Sequence, residues 1–164
     1  MLAATLSSPA VTGRFARALA GLLTPPAMVT LEGDLGTGKT TLVRGALRAL
    51  GVRGSVTSPS FTLAQTYRGR GGRPIHHLDL YRLGPGADVE LFSWDDYLGP
   101  DALVFVEWPE AGSGALPEAD VAVRLAHRSP RSRDVRVVAA PTLERALVAT
   151  LGMVGIDAAR SDGP

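Results

Sequence analysis

The sequence predicts an α/β fold, a three-layer domain whose mixed, largely parallel central sheet is flanked by helices. Three observations predict it. First, the octapeptide Gly33-Asp34-Leu35-Gly36-Thr37-Gly38-Lys39-Thr40 lies between the apolar run Ala27-Met28-Val29-Thr30-Leu31-Glu32 and residues 41–50, which place Leu42, Ala46, Leu47 and Leu50 on one side. A buried strand, a glycine-rich turn and a helix therefore follow in order. Second, Ala102-Leu103-Val104-Phe105-Val106 is apolar without alternation, which requires cover on both faces, as in a parallel sheet. Third, short strand-like runs are interspersed with stretches of helical periodicity along the whole chain.

In chain order, residues 12–23 carry Phe15, Leu19, Leu22 and Leu23 at helical spacing, and Thr24-Pro25-Pro26 ends this opening helix before the first core strand. Gly51-Val52-Arg53-Gly54 stops the helix at 41–50, and the hydroxyl-rich stretch Val56-Thr57-Ser58-Pro59-Ser60-Phe61 leads into a strand at about 62–67. Residues 68–74 turn the chain, and Ile75-His76-His77-Leu78-Asp79-Leu80 alternates like a strand, so the two runs form a hairpin. Gly84-Pro85-Gly86 breaks the chain ahead of a short amphipathic helix at 88–98 bearing Val89, Leu91, Phe92 and Tyr97. The buried strand at 102–107 follows and ends in an acid. Residues 119–126 and 135–139 read as two late strands joined by a polar, arginine-rich loop, and 143–151 as a closing helix. Residues 1–151 form a single domain and 152–164 a mobile tail.

With 164 residues, 45% of them hydrophobic, the chain can bury one sizeable core. A formal net charge of +1 excludes a broadly basic surface for nucleic acid. The arginines between Arg124 and Arg136 read as a solvated cluster. There is no cysteine, no apolar run long enough to cross a bilayer and no signal-peptide pattern, so the expected location is cytoplasmic, without membrane association. Lys39 is the only lysine among 17 lysines and arginines, and asparagine is absent. Arginine serves wherever charge alone matters, so the lysine at 39 reports a geometric need. A compact ammonium fits among phosphate oxygens, where a planar guanidinium crowds the loop.

The octapeptide fits the template G-x-x-x-x-G-K-[ST] of a P-loop. Its glycines let backbone N–H groups of residues 33–41 turn around phosphate oxygens, Lys39 reaches the terminal phosphates, and the Thr40 hydroxyl takes a magnesium ion. Phosphoryl transfer also needs a second magnesium anchor and a group that orients the attacking oxygen. Glu107 ends the most apolar strand at the sheet edge beside the loop, and Asp79 ends a second strand. Each is equally readable as an ordinary strand-end carboxylate capping a turn. His76 and His77 lack a recognised zinc ligand set, since there is no cysteine and His127 is the one other histidine; packing or a hydrogen bond near Asp79 suits them better. Trp94 and Trp108 read as packing residues, Trp108 being notable for its place next to Glu107.

Four segments taken together, Gly33 to Thr41, Val56-Thr57-Ser58-Pro59-Ser60-Phe61, His77-Leu78-Asp79-Leu80-Tyr81-Arg82-Leu83 and Val106-Glu107-Trp108-Pro109, closely resemble the TsaE (YjeE) family over residues 10–140. The resemblance implies a small P-loop NTPase-like domain that binds ATP and Mg2+ and serves threonylcarbamoyladenosine modification of tRNA. It would work with TsaD and TsaB and with TsaC, which makes the threonylcarbamoyl-adenylate, meeting tRNA indirectly through that complex. It implies that Lys39 binds the terminal phosphates, that Thr40 and Glu107 hold magnesium, that Asp79 takes part in hydrolysis, and that 57–60 is a switch-like loop. It also makes Arg133 a candidate nucleotide contact. Two departures stand out: Ser60 replaces a usual threonine but keeps the hydroxyl, and Ser93-Trp94 replaces a Gly-aliphatic pair.

The leading expectation is an accessory ATPase, slow alone and dependent on partners, because no arginine-rich lid or acceptor pocket follows the loop. A small-molecule kinase has nearly the same footprint, with Asp79 taking a proton from a substrate hydroxyl and Arg82 stabilising the transferred phosphoryl group. A nucleotide-binding scaffold without hydrolysis is the third class.

Overall fold

The computed structural model describes residues 1–59, 62–83, 93–112 and 115–160. Eight strands form one sheet in the order β3-β4-β5-β2-β6-β7-β1-β8, where β1 is Leu2–Leu6, β2 Ala27–Glu32, β3 Ala64–Arg68, β4 Pro74–Asp79, β5 Leu103–Glu107, β6 Val121–His127, β7 Arg133–Ala139 and β8 Ala158–Arg160. The centre, β4-β5-β2-β6, is parallel. The pairings outside it are antiparallel, including the β3–β4 hairpin. This accounts for the unbroken apolar runs at β2 and β5: both lie mid-sheet and are buried on both faces.

Three helices, α1 (Pro9–Ala20), α2 (Lys39–Ala49) and α3 (Pro141–Met153), share one core with one face of the sheet. There Phe15, Leu19, Leu42, Leu47, Leu147 and Leu151 meet Val29, Leu31, Phe105, Val123 and Val137. A Cβ at Gly45 would lie 2.9 Å from the Ala16 Cβ, so the glycine permits the close approach of α2 to α1. On the opposite face Met28, Leu78, Leu80, Val104 and Val106 are covered by Trp94, Tyr97, Leu98, Trp108 and Leu116. Among the described residues that cover consists of loops and single 3-10 turns, a thinner layer than the helical one.

Several elements differ from the sequence reading. The opening helix begins at Pro9, because Ser8 caps it by accepting the Val11 N–H at 3.3 Å and proline suits the first turn. Strand β3 starts at Ala64, after Leu63 takes a positive φ of 60°. The helix expected at 88–98 falls partly outside the described residues, and what is described of it is one 3-10 turn, Trp94–Asp96. Strand β1 was not anticipated; it buries Leu2 and Leu6 and pairs with β7. Of the tail expected to be mobile from residue 152, residues 152–160 are described and carry secondary structure. Helix α3 runs to Met153, Ile156 is buried, and β8 extends the sheet beyond β1. Buried Glu144 ties these ends together, accepting from the Met1 amino group at 3.1 Å and from Arg160 Nε at 3.4 Å.

Candidate functional site

The octapeptide forms the turn between β2 and α2. Gly33 has φ +136°, and a Cβ there would sit 2.2 Å from the Leu125 carbonyl oxygen on β6, so only glycine fits. Gly38, with φ +100°, is the N-cap of α2 and offers no side chain, leaving the first N–H groups of the helix to an anion. Thr37 closes the turn, its backbone N–H and its hydroxyl both donating to the Asp34 carbonyl.

Buried Lys39 folds back along this turn. Its Nζ donates to the Gly33 carbonyl and, at 3.0 Å, to the Asp34 carbonyl, and it lies 3.6 Å from the ring centre of Trp108. Burial pushes its pKa below the ordinary lysine value, while Glu107, Glu110, Asp79 and Asp34 pull it partly back. Trp108 reaches the ammonium because its own backbone turns into the left-handed region, φ 59°, as the chain leaves β5. Tyr81 tilts against that indole at 4.8 Å.

Asp79 and Glu107 are register partners at the carboxyl ends of adjacent parallel strands β4 and β5. Glu107 is held at both oxygens, accepting from the Thr40 hydroxyl at 2.9 Å and from His77 Nε2 at 2.8 Å. Asp79 accepts from the Ser58 hydroxyl at 2.5 Å and from the Tyr81 N–H at 3.2 Å, tying the hydroxyl-rich segment to the sheet. A cleft of about 430 Å³ opens over these groups, walled by Leu35, Gly36, Gly38, Lys39, Thr40, Thr41, Ser58, Asp79, Tyr81, Arg82, Glu107 and Trp108.

The structure thus brings Lys39, Thr40, Thr41, Asp79 and Glu107 to one cleft, while Gly33, Asp34 and Thr37 shape the turn behind it. Arg133 is placed differently. Its guanidinium is absent from the cleft wall and donates to the Thr37 carbonyl at 3.0 Å and the Gly36 carbonyl at 3.2 Å, and also to the Ser129 and Ser132 carbonyls. It braces the loop. Ser60 of the hydroxyl-rich segment lies outside the described residues. His76 accepts or donates at Nδ1 with the Thr66 hydroxyl, 2.9 Å away, and meets Tyr97 edge-on. Burial, helped by Arg68, lowers its pKa. Sequence reasoning missed the contact of His77 with Glu107; the available signal was that residues 77 and 79 share a strand face, and 79 already pointed to the site.

Comparison with known proteins settles the family. The family model described as "Threonylcarbamoyl adenosine biosynthesis protein TsaE" matches residues 6–135. The chain belongs to the TsaE family. A TsaE-named relative from Haemophilus influenzae is 40% identical over 136 residues, covering 82% of this chain and 85% of its own. Another, from Streptomyces coelicolor, is 44% identical over 111 residues, 66% of this chain and 74% of its own. The crystal structure of Bacillus subtilis YdiB superposes with a TM-score of 0.73 at 26% identity, covering 94% of this chain and 96% of that one. The TsaE match spans the phosphate loop, both carboxylates and Arg133, and leaves α3 and β8 outside it. Among the described residues, no helix is long and apolar enough to cross a membrane.

Proposed function

We propose that this chain binds ATP with Mg2+ in the cleft over the phosphate loop and hydrolyses it slowly, as a cytoplasmic accessory subunit of tRNA threonylcarbamoyladenosine biosynthesis acting with TsaD and TsaB. The observation that carries the reading is the convergence of Lys39, Thr40 and Glu107. The Thr40 hydroxyl donates a hydrogen bond to Glu107, which leaves the hydroxyl's lone pairs for a hard cation, and the carboxylate supplies oxygen beside it. Thr40 and Glu107 would hold magnesium, which when bound would offset the negative charge of the phosphates. The cleft volume lies within the range of small-molecule sites.

Lys39 and the first N–H groups of α2 bind the phosphates, and Trp108 excludes water from one side of the ammonium. We assign to Asp79, the register partner of Glu107, the orienting of the attacking water. Its oxygens accept from Ser58 and Tyr81, so a movement of the 57–59 segment would free an Asp79 lone pair for that water. Slow turnover alone and acceleration by partners that move the segment would follow from such a coupling. On this reading, which follows the family resemblance, the chain meets tRNA through TsaD and TsaB; a net charge of +1 offers no broadly basic surface of its own.

Phosphate release by the wild type, Glu107→Ala and Asp79→Ala, each with and without TsaD and TsaB, tests this. The wild type should be slow alone and faster with the partners, and both variants should lose the partner-dependent rate. Full-speed hydrolysis by the chain alone with no response to partners, or a phosphorylated metabolite as product, would overturn it.

A further inference from the structure

The buried histidine at 77 has no part in the chemistry described so far. Its side chain is 0% exposed, on the same strand face as Ile75 and Asp79 and opposite Phe105 in register. Its Nε2 lies 2.8 Å from Glu107 Oε1. An ionised carboxylate only accepts, so Nε2 carries a proton and donates it. The second ring nitrogen, Nδ1, is buried and has no hydrogen-bond partner among the described residues. For packing alone this is a poor choice: an apolar side chain of similar volume would fill the space against Phe105 without leaving a polar atom unpaired. What an apolar residue would not supply is the donor to Glu107.

That donor is well placed to matter. Glu107 reaches the cleft through a flexible side chain, and its two oxygens are held from opposite sides, by Thr40 on α2 and by His77 on β4. Thr40 would itself be a ligand of the cation, so its hold on Glu107 is not independent of the ligand. His77 is the tether that comes from the sheet and does not itself touch the ligand. We propose that His77 is a positioning residue: it holds Oε1 so that Oε2 stays aimed at the Thr40 side of the cleft, and so sets the magnesium affinity of the site. This rests on the reading that Thr40 and Glu107 hold magnesium. Outer partners of metal ligands commonly change metal affinity by about 10–100-fold when removed.

The test measures binding of a non-hydrolysable ATP analogue by calorimetry across a MgCl2 series and in EDTA. His77→Leu, which removes the donor, should raise the Mg2+ concentration for half-maximal binding about tenfold. It should leave affinity in EDTA unchanged, while the thermal midpoint falls, since buried Glu107 loses the donor to Oε1. His77→Gln, whose Nε2 can donate to Glu107, should restore most of the magnesium response. Equal Mg2+ midpoints in wild type and a folded His77→Leu would overturn the role of His77 while leaving the site reading intact. A wild type indifferent to Mg2+ would overturn the site reading and the inference with it. If His77→Leu fails to fold, His77→Asn, whose amide stops short of Glu107, takes its place against His77→Gln, and equal midpoints in that pair would refute the proposal.

Discussion

Replacing Gly33 by alanine tests whether the phosphate loop is shaped by backbone close approach. The added Cβ would lie 2.2 Å from the Leu125 carbonyl oxygen and 3.1 Å from the Thr37 hydroxyl. Carbon–oxygen contacts need about 3.2 Å or more, so loop and strand must part by roughly 1 Å. Strand β6 is hydrogen-bonded on both sides, to β2 and β7, and cannot yield freely. Forcing a core apart costs roughly 1–3 kcal/mol, and holding a non-glycine residue at φ +136° costs about 1–3 kcal/mol more. The expected destabilisation is therefore roughly 2–6 kcal/mol, or about 5–20 °C in Tm for a chain of this size. Nucleotide affinity should fall as well, because the carbonyl that holds Lys39 Nζ belongs to the displaced residue. Gly71→Ala is the control: its φ is +70° with nothing within 4 Å of the new Cβ, so backbone strain alone applies, about 1–2 kcal/mol. Thermal and denaturant unfolding of both variants, with nucleotide titrations, decide the matter. A Gly33→Ala protein no less stable than Gly71→Ala would refute the close-approach argument.

Arg133→Ala should weaken nucleotide binding by roughly three- to tenfold, because the Gly36 and Thr37 carbonyls lose their charged donor. Its melting temperature should move little, and an unchanged affinity would show that the brace is idle. Lys39→Arg should bind nucleotide at least about tenfold more weakly, since a planar guanidinium does not fit between two carbonyls and an indole; calorimetry matching wild type would contradict this. Glu144 gives the fold an acid-sensitive clasp. Burial raises its pKa, but the Met1 ammonium, the Ala139 N–H and Arg160 outweigh that and hold it below 4.5. A depressed carboxylate contributes stability above its unfolded pKa and loses it as pH falls through the folded one. Glu144→Gln should thus cost about 1–3 kcal/mol at pH 7, with the gap from wild type narrowing below pH 4.5; a gap constant down to pH 3 would exclude the clasp.

What could be read from sequence was what is local. Lys39, Thr40 and the glycines lie within eight consecutive residues, so their geometry follows from the turn they build. Glu107 was legible because it ends the longest apolar run, which a parallel sheet places at its centre. The contacts among these residues were not legible, since they depend on strand order. Only once β4 lies beside β5, and β5 beside β2, do His77 and Thr40 meet the same carboxylate from two sides. Arg133 was expected as a nucleotide contact; the turn from β6 into β7 brings it against the Gly36 and Thr37 carbonyls of the loop, a contact no spacing in the sequence encodes. Strands β1 and β8 escaped because they are short: Leu2 and Leu6 are four apart, a spacing that suits a helix as well as a strand, and the partner strand of β1 is more than a hundred residues away.

The solitary lysine can now be understood electrostatically as well as sterically. Four carboxylates, those of Glu107, Glu110, Asp79 and Asp34, lie close enough to act on its charge, and it is buried among them. A phosphate chain entering this cleft without that ammonium would meet a field of one sign in a poorly solvated place, where like charges repel strongly. On the proposed function Lys39 would act twice, contacting phosphate and offsetting the acids around it. Removing a phosphate contact alone would leave an affinity that salt weakens further. Removing the charge that shields the acids should leave an affinity that salt partly restores, because screening relieves the repulsion. Nucleotide binding by Lys39→Ala should accordingly improve between low and moderate ionic strength while wild-type binding weakens. Parallel salt dependence in the two proteins would confine Lys39 to the contact itself.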